Sequence, residues 1–312
     1  MKKIIKTSLF LFLFGCILCF PKISFSYAAT GLTLWFDRMI PTLFPFMILS
    51  TLMIRQNISD TFSGLIYPVF GRLYKISKSC VYCLLLGFLC GFPMGARVVA
   101  ELYERKDISK REASFLLAFC NNIGPVYYIS FLLPVTALFV PEKLLFLLFG
   151  MYGLPLLYGL FIRYSGFGLP KGCFDSNSQR NSTTPESFFE SLNHAMQGAV
   201  NGITTLGGYM ILCNLLNIIP HIFFAVCNPD AHPIWRSLLN CLLEITSGIS
   251  RLGDNAPLFL FTILPLGGLS CIVQTASMLQ NTDLSLKNYL FHKSIQCLLA
   301  FVYYFLLRDL LF

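Results

Sequence analysis

Apolar runs long enough to cross a bilayer recur along this chain, and several are interrupted near their middles by residues that a membrane helix normally avoids. The pattern predicts plain helices over residues 4–20, 39–54, 142–164, 201–219 and 289–307. Four interrupted segments stand among them, at 79–103, 113–139, 235–254 and 255–280. Their breaks read Gly91-Phe92-Pro93-Met94-Gly95, Asn121-Asn122-Ile123-Gly124-Pro125, Glu244-Ile245-Thr246-Ser247-Gly248 and Pro265-Leu266-Gly267-Gly268. Lipid cannot satisfy a freed backbone amide, so each break must be buried in protein or face a watery cavity. Residues 31–38 read as an interfacial lead-in with Trp35 at headgroup depth, and 55–78 as an amphipathic connector. Residues 104–112 form a charged turn, and 220–233 a second connector.

The order of elements repeats: helix, connector, interrupted hairpin, broken helix, plain helix. Residues 40–53 (IPTLFPFMILSTLM) and 203–216 (ITTLGGYMILCNLL) align without a gap and share Ile, Thr, Leu, Met and the Ile-Leu pair. This divides the chain into an N-terminal helix or signal-anchor at 1–30, a first repeat at 31–165, a polar linker at 166–186 and a second repeat at 187–312. The fold class expected is an all-α polytopic membrane protein of inverted repeats, with two re-entrant hairpins (79–103 and 235–254) and two broken helices. With a cytoplasmic N-terminus and both hairpins re-entrant, most of the 23 Lys and Arg fall on the cytoplasmic side, Lys287 and Lys293 among them. An odd number of crossings then separates the repeats, and paired interrupted segments of this kind point to a transporter's binding site.

Composition agrees with a membrane protein. Hydrophobic residues make up 55% and charged residues 12%, against about 25% charged in soluble domains. The formal net charge of +8 lies in short loops and does not imply nucleic acid. Lys2, Lys3 and Lys6 before an apolar run, with SYAAT after it, fit either an uncleaved first helix or a signal peptide cut near Ala28. The twelve cysteines are scattered, and the spacings Cys16/Cys19 and Cys80/Cys83 lack a partner motif. His194, His221, His232 and His292 do not cluster, so neither a metal nor a cofactor is expected. No P-loop, nucleophile elbow or HExxH motif supports an enzyme.

The breaks carry the candidate substrate-binding residues. Gly91, Pro93 and Gly95 supply a tight turn, and a helix resuming near Met94 offers free amides at a positive dipole end. Arg97 in that first turn suits a carboxylate through its forked donors, or it pairs with Glu101 one turn on. An Arg near mid-bilayer costs about 2.5–3.5 kcal/mol, which argues against an idle one. Asn121 and Asn122 either contact substrate or cap broken helix ends. Glu244 with Thr246 and Ser247 fits a cation or proton coupling site, or a carboxylate satisfied by hairpin amides. Gly267, Gly268, Ser270 and Gln274 complete the set, with Gln274 one turn beyond Ser270 on the same face. The partners implied are a small-molecule anion and the lipid bilayer, with homo-oligomer formation left open.

Several blocks together, GLTLWFDRMIPTLFPFMILS, GFLCGFPMGAR, FCNNIGP, LEITSGI and LPLGGLSCIVQ, resemble the YlbJ (stage V sporulation protein V) family of sporulation integral membrane proteins. They cover about residues 30–280 in order. That family belongs to the Gate, or nucleoside-recognition, superfamily, similar in organisation to concentrative nucleoside transporters. The resemblance implies an endospore former, a place in the outer forespore membrane, and passage of dipicolinic acid toward the spore core. Arg97 departs from the Lys expected in many relatives, keeping the charge. The leading expectation is an alternating-access carrier of a small organic anion. A non-transporting assembly protein of the spore envelope and a nucleoside carrier are the alternatives.

Overall fold

Residues 21–55 form one nearly continuous helical rod in the computed structural model, in which residues 2–138, 140–170, 187–226 and 233–312 are described. The linker residues 171–186 (with Lys171 and Arg180) and the connector residues 227–232 lie outside them, as do the side chains of Lys2, Lys3 and Lys6. Pro21 opens helix Pro21–Leu34, a π-helical turn at Trp35–Met39 follows, and helix Ile40–Arg55 continues. The expected interfacial lead-in is therefore helical. Trp35 is anchored on protein: its indole N–H donates to the Ile203 carbonyl at 2.8 Å. The ring lies over Gly207, where an added Cβ would stand 2.4 Å from it.

Helix Phe188–Leu215 is the partner of this rod and starts well before residue 201, because Ser187 and Glu190 form a capping box at its N-terminus. It packs against Pro21–Leu34 and Ile40–Arg55, so the two segments with shared letters lie on helices that touch. Close approach is possible because Gly31 has no side chain: a Cβ there would be 2.8 Å from the Ile211 Cα.

All four predicted breaks are present. In the first hairpin, Lys78–Leu89 and Met94–Glu104 pack together around residues 90–93, and the Ser77 hydroxyl caps the first arm by accepting from the Cys80 amide. In the second, Pro233–Leu243 and Ile245–Leu252 fold back on each other at Glu244. Arms of 8 to 12 residues reach only about 12–18 Å at 1.5 Å per residue. The hydrocarbon core is about 30 Å thick, so no arm crosses it alone. Helix Lys110–Leu117 ends before a stretch at 118–124, after which Pro125–Tyr127 resumes. The last broken helix runs Pro257–Ile263 and then Gly268–Met278.

In each half, the hairpin and the broken helix meet backbone to backbone. Gly87 faces the Cys120 carbonyl oxygen, which a Cβ would approach to 2.0 Å, and Gly91 (φ +87°) abuts the Gly124 amide. In the second half, Gly268 (φ +76°) faces the Cys241 carbonyl, 2.8 Å from where its Cβ would be. The left-handed φ values at Gly91 and Gly268 are ones that side chains resist.

Among the described residues, four helices are long and apolar enough to cross a membrane: Pro21–Arg55, Pro141–Ser165, Phe188–Ala225 and Pro257–Met278. Helix Leu286–Leu306 adds a fifth long element, packed on Pro257–Ile263 and Leu154–Ser165. Among the described residues the fold is all-helical. Large apolar side chains such as Phe25, Leu65, Leu145 and Phe189 face outward. A water-soluble surface would not carry so many, and a lipid-facing one does.

Candidate functional site

The two hairpins and the two broken helices converge on a cavity of about 380 Å³. Residues 89–92, 123 and 124 wall it from the first half, and Glu244, Ile245, Thr246, Ser270, Cys271 and Gln274 from the second. Two π-helical turns complete the wall. Trp35–Met39 brings Arg38 and Met39, and Tyr128–Leu132 brings Ser130 and Phe131, with Tyr127 just before it. Such turns are frequent at functional sites because they re-aim side chains within a helix.

Glu244 is 2% exposed, and its two carboxylate oxygens accept the amides of Thr246 (3.1 Å) and Ser247 (2.7 Å). It thereby caps helix Ile245–Leu252 and takes the amide donors that a bound anion would otherwise use. The cation on the cavity wall is Arg38, exposed, with its guanidinium 5.7 Å from the centre of the Phe131 ring. Two buried hydroxyls on the wall, Tyr127 Oη and Ser270 Oγ, have no hydrogen-bond partner among the described residues. A buried hydroxyl left unpaired costs about 1–3 kcal/mol, so both favour a polar occupant. Apolar walls with a few convergent polar groups, at this volume, fit a small-molecule site.

Of the residues singled out from sequence, Gly91, Glu244, Thr246, Ser270 and Gln274 line the cavity. The others do not line it. Pro93 precedes helix Met94–Glu104, and Gly95 lies against the Cys120–Asn121 backbone. Asn121 ties the halves together: its Oδ1 accepts the Ala96 amide at 3.3 Å, and its Nδ2 donates to Thr275 (3.1 Å) and Tyr289 (3.2 Å). Asn122 donates to the Phe119 carbonyl, Ser247 gives its amide to Glu244, and Gly267 and Gly268 make the turn that reopens the last broken helix.

Arg97 points away from the cavity. Its Nη1 donates to the Gly198 carbonyl at 3.1 Å, and its Nη2 to the Thr51 hydroxyl at 3.4 Å. Thr51 in turn donates to Glu101 at 2.9 Å, so the Arg97–Glu101 association runs through Thr51 on a second helix, Ile40–Arg55. Gly202 leaves the space: a Cβ there would be 2.5 Å from Nη1. Arg97→Met is expected to destabilise the folded protein by about 1.5–3 kcal/mol, the scale of hydrogen bonds to a charged group. It leaves substrate affinity within about twofold, because no ligand contact is removed. Thermal unfolding in detergent, set beside binding, checks this; a large affinity loss with unchanged stability would return Arg97 to the ligand.

Lys293 requires a correction. Charge pattern counts it with the basic residues of the cytoplasmic side, but within helix Leu286–Leu306 its side chain is fully buried in protein. Its Nζ donates to Asn122 Oδ1 at 2.8 Å and to Gln296 Oε1 at 3.2 Å, which is why a helix carrying a charge can stay inside. The missed signal was a Lys with Gln three residues on, within an otherwise apolar helix. Arg38, in the LWFDR block, was missed for a similar reason: it reads as an end-of-span charge unless the rod continues through it.

Among the described residues no group of three or more His, Cys, Asp or Glu is arranged to hold a metal ion. No protein-family profile matches the chain, and no solved structure matches it. The chain is 25% identical over 338 aligned positions to the sporulation integral membrane protein YlbJ of Bacillus subtilis (strain 168). That alignment covers 96% of this chain and 81% of the relative.

Proposed function

From membership in the YlbJ family of sporulation integral membrane proteins, which the near-complete alignment supports, we propose that this chain is a membrane carrier of a small organic anion during sporulation. Dipicolinic acid, a small aromatic dianion, is the cargo that the family resemblance implies, and the outer forespore membrane is the implied location. The observation that carries the reading is the cavity itself: two interrupted segments from each half converge on it, within a bundle whose outer surface is apolar. Arg38 on its wall supplies a forked donor for a carboxylate. The aromatic rings of Phe92, Tyr127 and Phe131 offer faces for a flat ring.

In this reading the two hairpins are re-entrant, enter from opposite faces and expose the cavity alternately as the halves rock. Their arms are too short to cross the bilayer, which supports it. Cysteine labelling that placed residues 58–78 and 104–112 on opposite sides of the membrane would reject it.

The test of function is flux into proteoliposomes holding the purified chain. Labelled dipicolinate, other aromatic and aliphatic carboxylates, and nucleosides are offered in turn. Saturable uptake of dipicolinate or another carboxylate is expected. Uptake of nucleosides alone would identify a nucleoside carrier, and uptake of nothing would favour an assembly protein of the spore envelope.

A further inference from the structure

Lys293 has no role in the cavity as it stands, yet it sits directly behind one of its walls. Its Nζ lies 5.2 Å from the centre of the Phe92 ring, and Phe92 lines the cavity. A second ring, Tyr289, lies 5.8 Å away. Its hydrogen-bond acceptors are two neutral amide oxygens, from Asn122 and Gln296. An ammonium has three donors, and these two acceptors account for two of them. The remaining face of the group is turned to aromatic carbon, a cation–π arrangement.

That environment is a poor resting place for a charge. Burying an ammonium costs several kcal/mol, and neutral acceptors return less of that than a carboxylate does. Phe92 occupies the hairpin tip between Gly91, whose φ is +87°, and Pro93, and its edge lies close to Gly267. Of the two rings beside the ammonium, Phe92 is the one that lines the cavity, and it stands between glycine-rich turns of the two halves.

We propose that Lys293 is a second cationic contact for the transported anion, reached when the Phe92 ring turns aside. Arg38 and Lys293 then take the two ends of a dianion. A monoanion engages Arg38 alone. The idea rests on the carrier reading and narrows it to dicarboxylates or similar two-ended oxyanions. Phe92 acts as the positioning residue, because it decides whether the cavity contains one cation or two.

Two variants and two readouts test this. Lys293→Met keeps the length of the side chain and removes the charge. It should weaken uptake or binding of a dicarboxylate such as dipicolinate about tenfold, the scale of one lost charge-assisted hydrogen bond, and leave the matched monocarboxylate within about twofold. A purely structural lysine would lower both together or lower folded yield, and an unchanged ratio in folded Lys293→Met protein would overturn the proposal. Phe92→Ala removes the cavity-lining ring. Acylation of Lys293 by a small water-soluble amine reagent, mapped by mass spectrometry, should rise in that variant and fall again when dipicolinate is added. The acylation readout needs no transport, so it stays decisive even if the carrier reading fails in the flux assay. Lys293 unreactive in Phe92→Ala, or reactive and unprotected by dipicolinate, would count against the site.

Discussion

Gly87→Val is expected to abolish the folded protein. The position looks mild in sequence, a glycine inside an apolar helix. In the structure its missing Cβ would sit 2.0 Å from the Cys120 carbonyl oxygen, 3.0 Å from the Cys120 carbonyl carbon and 3.3 Å from the Gly95 Cα. All three are backbone atoms, so no rotamer change can relieve the clash, and the hairpin must separate from the broken helix. Overpacking a well-filled interior costs roughly 1–3 kcal/mol, and a fixed backbone on the other side puts this case at the upper end or beyond. The loss spreads further because Asn121, next to Cys120, carries the bonds to Ala96, Thr275 and Tyr289. Size-exclusion of the detergent-solubilised variant should show aggregated or degraded protein. Gly64→Val is the control: a Cβ there meets nothing within 4 Å, and normal folding is expected. A monodisperse, active Gly87→Val protein would mean that the two segments do not touch as described.

Glu244→Ala carries the second large effect. The carboxylate satisfies two buried amides at the start of helix Ile245–Leu252, and its removal leaves the Thr246 and Ser247 donors open. Loss of an N-cap costs about 0.5–2 kcal/mol, and stranded buried donors raise that toward about 3 kcal/mol. Because Glu244, Ile245 and Thr246 line the cavity, the same loosening deforms the site, and transport should fall at least about tenfold. Glu244→Gln separates capping from charge. Its one side-chain oxygen keeps one of the two amide bonds while its NH2 faces the other donor, so stability should fall less than in Glu244→Ala. If the carboxylate also couples transport to an ion, Gln slows uptake and flattens its dependence on proton or sodium gradients. Full, gradient-dependent uptake by Glu244→Gln would leave Glu244 as a cap alone.

Much of this arrangement could be read from residue types. The four breaks were legible because Gly, Pro and paired Asn interrupt apolar runs, and a break in lipid has few physical solutions. What could not be read was the direction of side chains across those breaks. Arg97 looked like a ligand because it is a charge near a helix start. The structure turns it to Thr51 and Gly198, which requires knowing that helix Phe188–Leu215 passes at Gly198 and Gly202. Lys293 was invisible for the opposite reason. A lysine in the first part of a helix reads as an interfacial charge until the neighbours that hold it, Asn122 and Gln296, are seen to meet there. Asn121 and Asn122 illustrate the same limit. Their amides were recognised as binding groups, but only tertiary structure assigns one to joining the halves and the other to the ammonium.

Thiol labelling tests most directly whether breaks from both halves face one hydrated cavity that accepts an anion. The chain supplies its own probes: Cys90 lies on the wall from the first half and Cys271 from the second, while Cys83 is fully buried nearby and does not line it. Purified protein in vesicles is treated with a small charged methanethiosulfonate reagent, and each cysteine is quantified by peptide mapping. The account predicts modification of Cys90 and Cys271 but not Cys83, and protection of both together by dipicolinate at saturating concentration. Cys90 and Cys271 as inert as Cys83, or one protected by dipicolinate while the other is not, would contradict a shared cavity.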